Sequence, residues 1–310
     1  MDGLKLYNTG HKEGFGSMTM CLINSYIVAL EYNLPYLYTP LINIGELGNH
    51  PFTQDEWDDQ WNEYISKCLL KSTSVETIDQ TINISYLSLS SYLSTYTETD
   101  KNIVLNLYWR ELKSVLDSNN NLFVKYKALF NFNYFSTDCL ANLKVKLPHY
   151  ENIGMTFDNV KHDESQMNVA IHIRKQSKTD SDCDPVREFY TPNSSISNWI
   201  GMYIKELINM SNKIIISIHS QIGNGKIEDF DELVQIAPNR IILHLDEHPI
   251  KTLHSLITAD VFIMAKSTFS LVASVYAKGQ VVIKSGFVHR TSPTVLTLIN
   301  PSDIKRLKIE

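Results

Sequence analysis

Nothing in this sequence pairs its cysteines. Only four occur in 310 residues, Cys21, Cys68, Cys139 and Cys183, and no two stand at a CxxC or zinc-finger spacing. That argues against a disulfide scaffold and a thiolate metal cluster, and predicts reduced, mostly buried thiols in a reducing compartment. A second absence is a long apolar run: no stretch of about 18 uninterrupted apolar residues exists, so no membrane span is expected. A third is a leader, because Met1-Asp2-Gly3-Leu4-Lys5 enters directly what reads as a strand, with no basic segment and apolar stretch behind it. Together these predict a cytoplasmic protein, in which the sequons at Asn83, Asn193 and Asn209 carry no meaning. Excess positive charge is lacking too. A net charge of -6 argues against work on nucleic acid or anionic membranes, although one basic pocket for a small anion is compatible with it.

What is present is an ordinary globular composition, 43% apolar and 20% charged, long enough for two domains. The C-terminal half is the more legible. Five short β-branched runs recur: Asn168–Arg174, Lys213–His219, Arg240–Asp246, Val261–Ala265 and Gln280–Lys284. Such runs suit strands buried on both faces. Segments with helical spacing lie between them, through Ile196–Leu207, Ile250–Ile257 and Phe269–Ala277, the last read as ending in a glycine C-cap at Lys278-Gly279. Strict alternation implies a parallel, doubly wound sheet, whose ligands bind beyond the carboxyl ends of the strands. In the N-terminal half, Leu4–Tyr7, Pro35–Tyr38 and Ile103–Tyr108 read as strands. After the loop Asn8–Gly16, a helix capped by Ser17 should run through Met20, Ile23, Ile27 and Leu30, apolar nearly all round and therefore buried. The polar, aperiodic segment Asn152–Gln166 reads as the linker between an N-terminal domain over 1–155 and a C-terminal domain over 165–310.

The residues beyond each strand carry the candidate chemistry. His172 and Arg174 alternate onto one face at the end of a buried strand, where a guanidinium fork can grip phosphate oxygens or pair with an acid at the sheet edge. Ala265-Lys266-Ser267-Thr268-Phe269-Ser270 joins a strand to a helix. Its hydroxyls sit at the positive helix end, either as simple caps or around a phosphate. Asp246-Glu247-His248 offers carboxylates that could accept from the edge of a guanine ring, or form a solvated turn before Pro249. Gly14-Phe15-Gly16 permits close approach of a ligand, a common property of turns. Asp180-Ser-Asp-Cys-Asp184 invites a metal reading and fails it. Pro185 stands where a calcium loop needs glycine, Thr191 where it needs glutamate, and no apolar strand precedes the run as a metal-binding DxD requires. No metal site is expected.

This order of features resembles the fucosyltransferase-like superfamily of GT-B sugar transferases. Gly14-Phe-Gly16-Ser17 with the later Leu34–Pro40 is similar to that group's N-terminal loop. Val169-Ala-Ile-His-Ile-Arg174 resembles its HxR strand, and Leu253-His254 through Ala259-Asp260 to Ser270 resembles its donor-binding segment. The resemblance implies two Rossmann-like α/β domains facing each other across a cleft. It also implies inverting, metal-independent transfer of fucose from GDP-fucose to a glycan acceptor, with no cofactor. Arg174 would hold the diphosphate with Ser267, Thr268, Phe269 and Ser270, and His172 would shape the same pocket. Asp246, Glu247 or His254 would lie near the base, and Gly14 and Gly16 would border the donor.

Two departures are visible. Lys175-Gln-Ser-Lys-Thr-Asp180 stands where relatives carry a second arginine followed by Gly-Asp or Thr-Asp, and Thr252 stands where some carry a base-binding aspartate. They leave open a UDP-sugar donor, or a non-catalytic nucleotide- or glycan-binding relative. The acceptor's base is also open, with His11, Glu13, Glu46 and His50 as candidates.

Overall fold

The described residues form two parallel sheets, and the chain divides into two units, Met1–Lys146 and Leu147–Glu310. The computed structural model describes residues 4–7, 14–44, 53–65, 78–97, 102–107, 165–175, 199–222, 225–265, 267–284, 295–298, 303 and 307. Of the expected linker, only Ser165 and Gln166 fall among them.

The first unit holds strand β1 (Leu4–Tyr7), helix α1 (Phe15–Glu31), helix α2 (Gln54–Tyr64), strand β2 (Gln80–Ile84), helix α3 (Tyr86–Thr95) and strand β3 (Ile103–Leu107). Its sheet runs β1-β3-β2, all parallel. Helix α1 is buried nearly all round, as its apolar sequence requires. It starts three residues earlier than the sequence reading places it. Gly14 is the N-cap, and its carbonyl accepts from Ser17 and Met18, so Ser17 lies inside the first turn. Pro35–Tyr38 forms no strand, only a single bridge at Tyr36 to Leu6. The following segment is pinned instead by α2, where Asn62 and the buried Asp58 accept backbone N–H groups of Leu41 and Ile44. Phe15 stacks on Trp61 with centroids 3.6 Å apart, fastening α1 to α2.

The second unit contains strand β4 (Met167–Ile173), helix α4 (Gly201–Met210), strand β5 (Ile214–Ser220), helix α5 (Asp231–Ile236) and strand β6 (Ile241–Leu245). Helix α6 (Pro249–Thr258), strand β7 (Val261–Ile263), helix α7 (Thr268–Tyr276), strand β8 (Gln280–Lys284) and strand β9 (Val295–Leu298) complete it. All five expected strands are present. A sixth, β9, was not foreseen. Every pairing is parallel, in the order β6-β5-β4-β7-β8-β9. Counted from the unit's first strand, this is 3-2-1-4-5-6, the Rossmann order.

Central strands are buried on both faces, as the consecutive Val169, Ala170 and Ile171 record. Burying each branched side chain there contributes about 1.5–3 kcal/mol. Gly279 serves a different purpose from a helix cap. Helix α7 ends at Tyr276 with Ala277 extended, and a Cβ on Gly279 would meet the Asp260 carbonyl oxygen at 2.1 Å. The glycine lets the chain entering β8 press against the residues leading into β7.

Candidate active site

In a doubly wound sheet the strand order reverses at one place, and the two crossovers flanking it leave on opposite faces. The crevice between them is where ligands bind. Here the reversal falls between β4 and β7, which are hydrogen-bonded neighbours through Val169–Ile171 and Val261–Ile263. Each strand carries one of the motifs singled out in the sequence. His172 lies at the end of β4 with Arg174 just beyond it, and Ser267–Ser270 follows β7 as the start of α7.

The two motifs touch. His172 Nδ1 lies 2.5 Å from Ser270 Oγ, although the residues are 98 apart in sequence. The same hydroxyl accepts the Ala265 N–H at 3.3 Å. The Ser270 hydroxyl can give its proton to Nδ1 or accept one from it; where it gives, the imidazole proton lies on Nε2. Burial, then the neighbouring Arg174 charge, hold the His172 pKa down to about 3, so the ring is neutral at physiological pH. Phe269 flanks it, ring centroids 5.5 Å apart.

Ser267 is the N-cap of α7, its Oγ accepting the Phe269 N–H at 3.2 Å. The capping reading of this serine is therefore realised, and the hydroxyl hydrogen is still available to donate. Thr268 is the first helical residue. Lys266 lies outside the described residues, as do His11, Glu13, Glu46, His50 and Asp180–Asp184.

Lys175, which follows Arg174, is buried and committed. Its Nζ donates to Asp229 Oδ2 at 2.5 Å and sits over the Phe230 ring. That hydrogen bond and one from the Lys226 backbone hold the Asp229 pKa below its ordinary value. A lysine held this way stands in for no second phosphate-binding arginine.

Asp246 directly follows β6 with φ 51, a left-handed conformation that Asp tolerates better than most residues. Its N–H donates to Ser220 O, and its Oδ1 accepts the Ile222 N–H at 3.0 Å. One carboxylate oxygen thus braces the turn after β5. Glu247 is bonded to His244 Nδ1 at 2.9 Å and Lys251 Nζ at 2.7 Å. Burial opposes its ionisation, but those two partners outweigh the burial and bring its pKa down to about 2. His254 is buried on the inward side of α6, and Thr252 is half-buried on the same helix. Gly14 and Gly16 sit at the start of α1 in the first unit. A Cβ at Gly14 would meet nothing, so glycine is not sterically required there.

The sequence reading assigned no role to two further histidines. His248 caps α6, its Nδ1 accepting the Ile250 N–H. His219 is fully buried on β5 beside His172. The signal for His219 was present: His172, His219 and His244 are each the next-to-last residue of their strands.

Among solved structures, the chain is similar to POFUT1 in complex with GDP-fucose. The TM-score is 0.50 at 12% identity, with 96% of this chain and 98% of that one covered. The fold is that of a GT-B glycosyltransferase. POFUT1 in complex with GDP matches at TM-score 0.42, with 12% identity over 96% of this chain and 98% of that one. The E. coli heptosyltransferase WaaC with ADP-2-deoxy-2-fluoro heptose matches at 0.38, with 8% identity over 98% of each chain. No protein-family profile matches the sequence, and no curated protein matches it. Among the described residues, no helix is long and apolar enough to cross a membrane.

Proposed function

We propose that this protein is an inverting, metal-independent glycosyltransferase that moves fucose from GDP-fucose to a glycan acceptor. The observation that carries the reading is the meeting of His172, Arg174 and the α7 start at the sheet's switch point, joined by the His172–Ser270 hydrogen bond. An anion placed there meets a permanent cation, a helix N-terminus and a neutral imidazole N–H.

The acceptor hydroxyl would attack the anomeric carbon from the face opposite the leaving group. The bond from that carbon to the phosphate oxygen breaks, and its electron pair leaves with GDP. Arg174 and the amides and hydroxyls of α7 are preorganised for the charge that develops on that oxygen. With its proton on Nε2, His172 donates without adding charge, so it orients a phosphate oxygen while Arg174 supplies the electrostatics. The acceptor proton passes to a base on the acceptor side, which this reading does not assign.

The supporting fold likeness is to a protein crystallised with GDP-fucose. Calorimetric titration with GDP, followed by an assay for fucose transfer and GDP release, tests the proposal. Absence of GDP binding would refute it.

The pairing of buried Lys175 with the partly exposed Asp229 favours a second reading, a nucleotide-binding relative without turnover. In that case GDP binds, yet GDP-fucose is neither transferred to a glycan nor hydrolysed.

A further inference from the structure

Three histidines stand in one register row. His172 on β4 partners His219 on β5, and His219 partners His244 on β6. Register partners on neighbouring parallel strands present their side chains on one face. His172 is engaged by Ser270, but the other two form a cluster of their own. His219 is fully buried, and neither ring nitrogen has a hydrogen-bond partner among the described residues. Its ring stacks on His244, centroids 4.6 Å apart and planes 12° from parallel. Glu247 closes the row: Oε1 takes the bonds from His244 and Lys251, while Oε2 is buried without a partner. One ligand atom from each of His219, His244 and Glu247 falls within 4.8 Å of the others.

Buried nitrogen and oxygen atoms are ordinarily satisfied, and three that are not, on two residues of one cluster, call for a common partner. We propose that His219, His244 and Glu247 bind a zinc-class divalent ion at the carboxyl ends of β5 and β6. Two imidazoles and a carboxylate suit zinc, with a fourth position for water, whereas calcium and magnesium favour all-oxygen sets. Stacked rings aim their lone pairs along parallel planes, so binding turns at least one ring about its Cβ–Cγ bond, a broad torsion in histidine. Lys251 steadies the carboxylate through its other oxygen, and its charge opposes the ion. The site involves no assumption about the sugar donor.

The test uses the full chain, stripped with chelator and dialysed. Zinc is titrated calorimetrically, and cobalt(II) is added to read tetrahedral absorption bands. One ion per chain is expected, with a rise in Tm. Glu247→Gln and His244→Asn should each weaken binding at least tenfold, and Lys251→Met should strengthen it. Both weakening substitutions fall on half-buried residues, so the test does not depend on altering the fully buried His219. Failure to bind one ion per chain overturns the proposal, and so does binding that all three substitutions leave unchanged.

Discussion

The hydroxyl of Ser270 and Nδ1 of His172, 2.5 Å apart, join the first turn of α7 to the end of β4. Both groups lie in a partly or fully buried setting, and Ser270 itself has no exposure. Replacing Ser270 with alanine strips a partner from His172 and from the Ala265 N–H at once. Leaving buried polar groups unsatisfied costs about 1–3 kcal/mol. Urea unfolding of Ser270→Ala should show a loss in that range. Wild-type stability would mean that the contact holds nothing in place.

On the proposed reading Arg174 bears on activity more than on folding. It is half-buried beyond the strand end, where its charge already depresses His172. Arg174→Ala should cut transfer by about 10²–10³, the effect of removing one donor to a developing oxyanion at roughly 3–4 kcal/mol. Unfolding free energy should stay within about 1 kcal/mol of wild type. Near-normal turnover would place the diphosphate elsewhere.

The histidines set an acid limit on stability. The folded pKa of His172 is depressed from 6.5 to about 3, and burial and the neighbouring His244 lower His219 as well. The unfolded chain therefore binds protons that the native state refuses. Stability is complete above pH 6.5 and falls as pH drops from 6.5 toward 3. Glu247, folded pKa about 2 against 4.5, adds a further loss as pH falls below 4.5. Chemical denaturation at a series of pH values should show the decline beginning above the carboxylate range, and His172→Asn should flatten it. A decline confined to the carboxylate range would contradict the buried neutral imidazoles.

The strands β4 to β8 were legible because each is a short β-branched run bounded by polar residues, the pattern of strands covered on both faces. Their order was not, because which strand pairs with which depends on crossovers that local sequence does not encode. The contact between His172 and Ser270 spans 98 residues and follows only from that order. Strand β2 escaped because Gln80–Ile84 is largely exposed and lacks the apolar signature. Helix α2 escaped through its acidic composition, yet Thr53 and Glu56 form a capping box readable from the sequence. Glu247 was open between a base-edge acceptor and a solvated turn; its pair with Lys251 is an i,i+4 spacing that the sequence does carry, and its bond to His244 lies three residues back.

On the proposed reading Arg174 and the α7 start meet the leaving charge in place of a metal ion, so transfer should persist in excess EDTA. An ion at His219, His244 and Glu247 would contribute to Tm alone. Rate measurements on chelated protein, at a temperature well below its Tm, check this. Loss of turnover restored by manganese or magnesium would overturn metal independence.

The last expectation concerns the base. Guanine presents N1–H and its 2-amino group side by side, two donors suited to an ionised carboxylate. Uracil offers one N–H between two carbonyls, which a carboxylate repels. Asp246 sits at the end of β6, two strands from β4 and therefore roughly 10 Å from the phosphate position along the sheet. Its Oδ1 is occupied by the Ile222 N–H, so recognition would use both oxygens, with Oδ1 shared. Charge-assisted bonds of roughly 1.5–3 kcal/mol each, before desolvation, should favour GDP over UDP by about tenfold or more. Asp246→Asn is a clean probe of this. Asparagine keeps the carbonyl oxygen that braces Ile222 and tolerates the left-handed φ of 51, so the turn should survive. What it loses is the charge and one acceptor, replaced by an amide N–H₂ that opposes guanine's donors. The GDP advantage should shrink toward parity while Tm holds. Calorimetric titration of wild type and variant with both nucleotides decides it. Equal affinities in the wild type, or tighter UDP, would defeat the guanine and fucose assignments together, whereas an unchanged preference in Asp246→Asn would move base recognition to another residue.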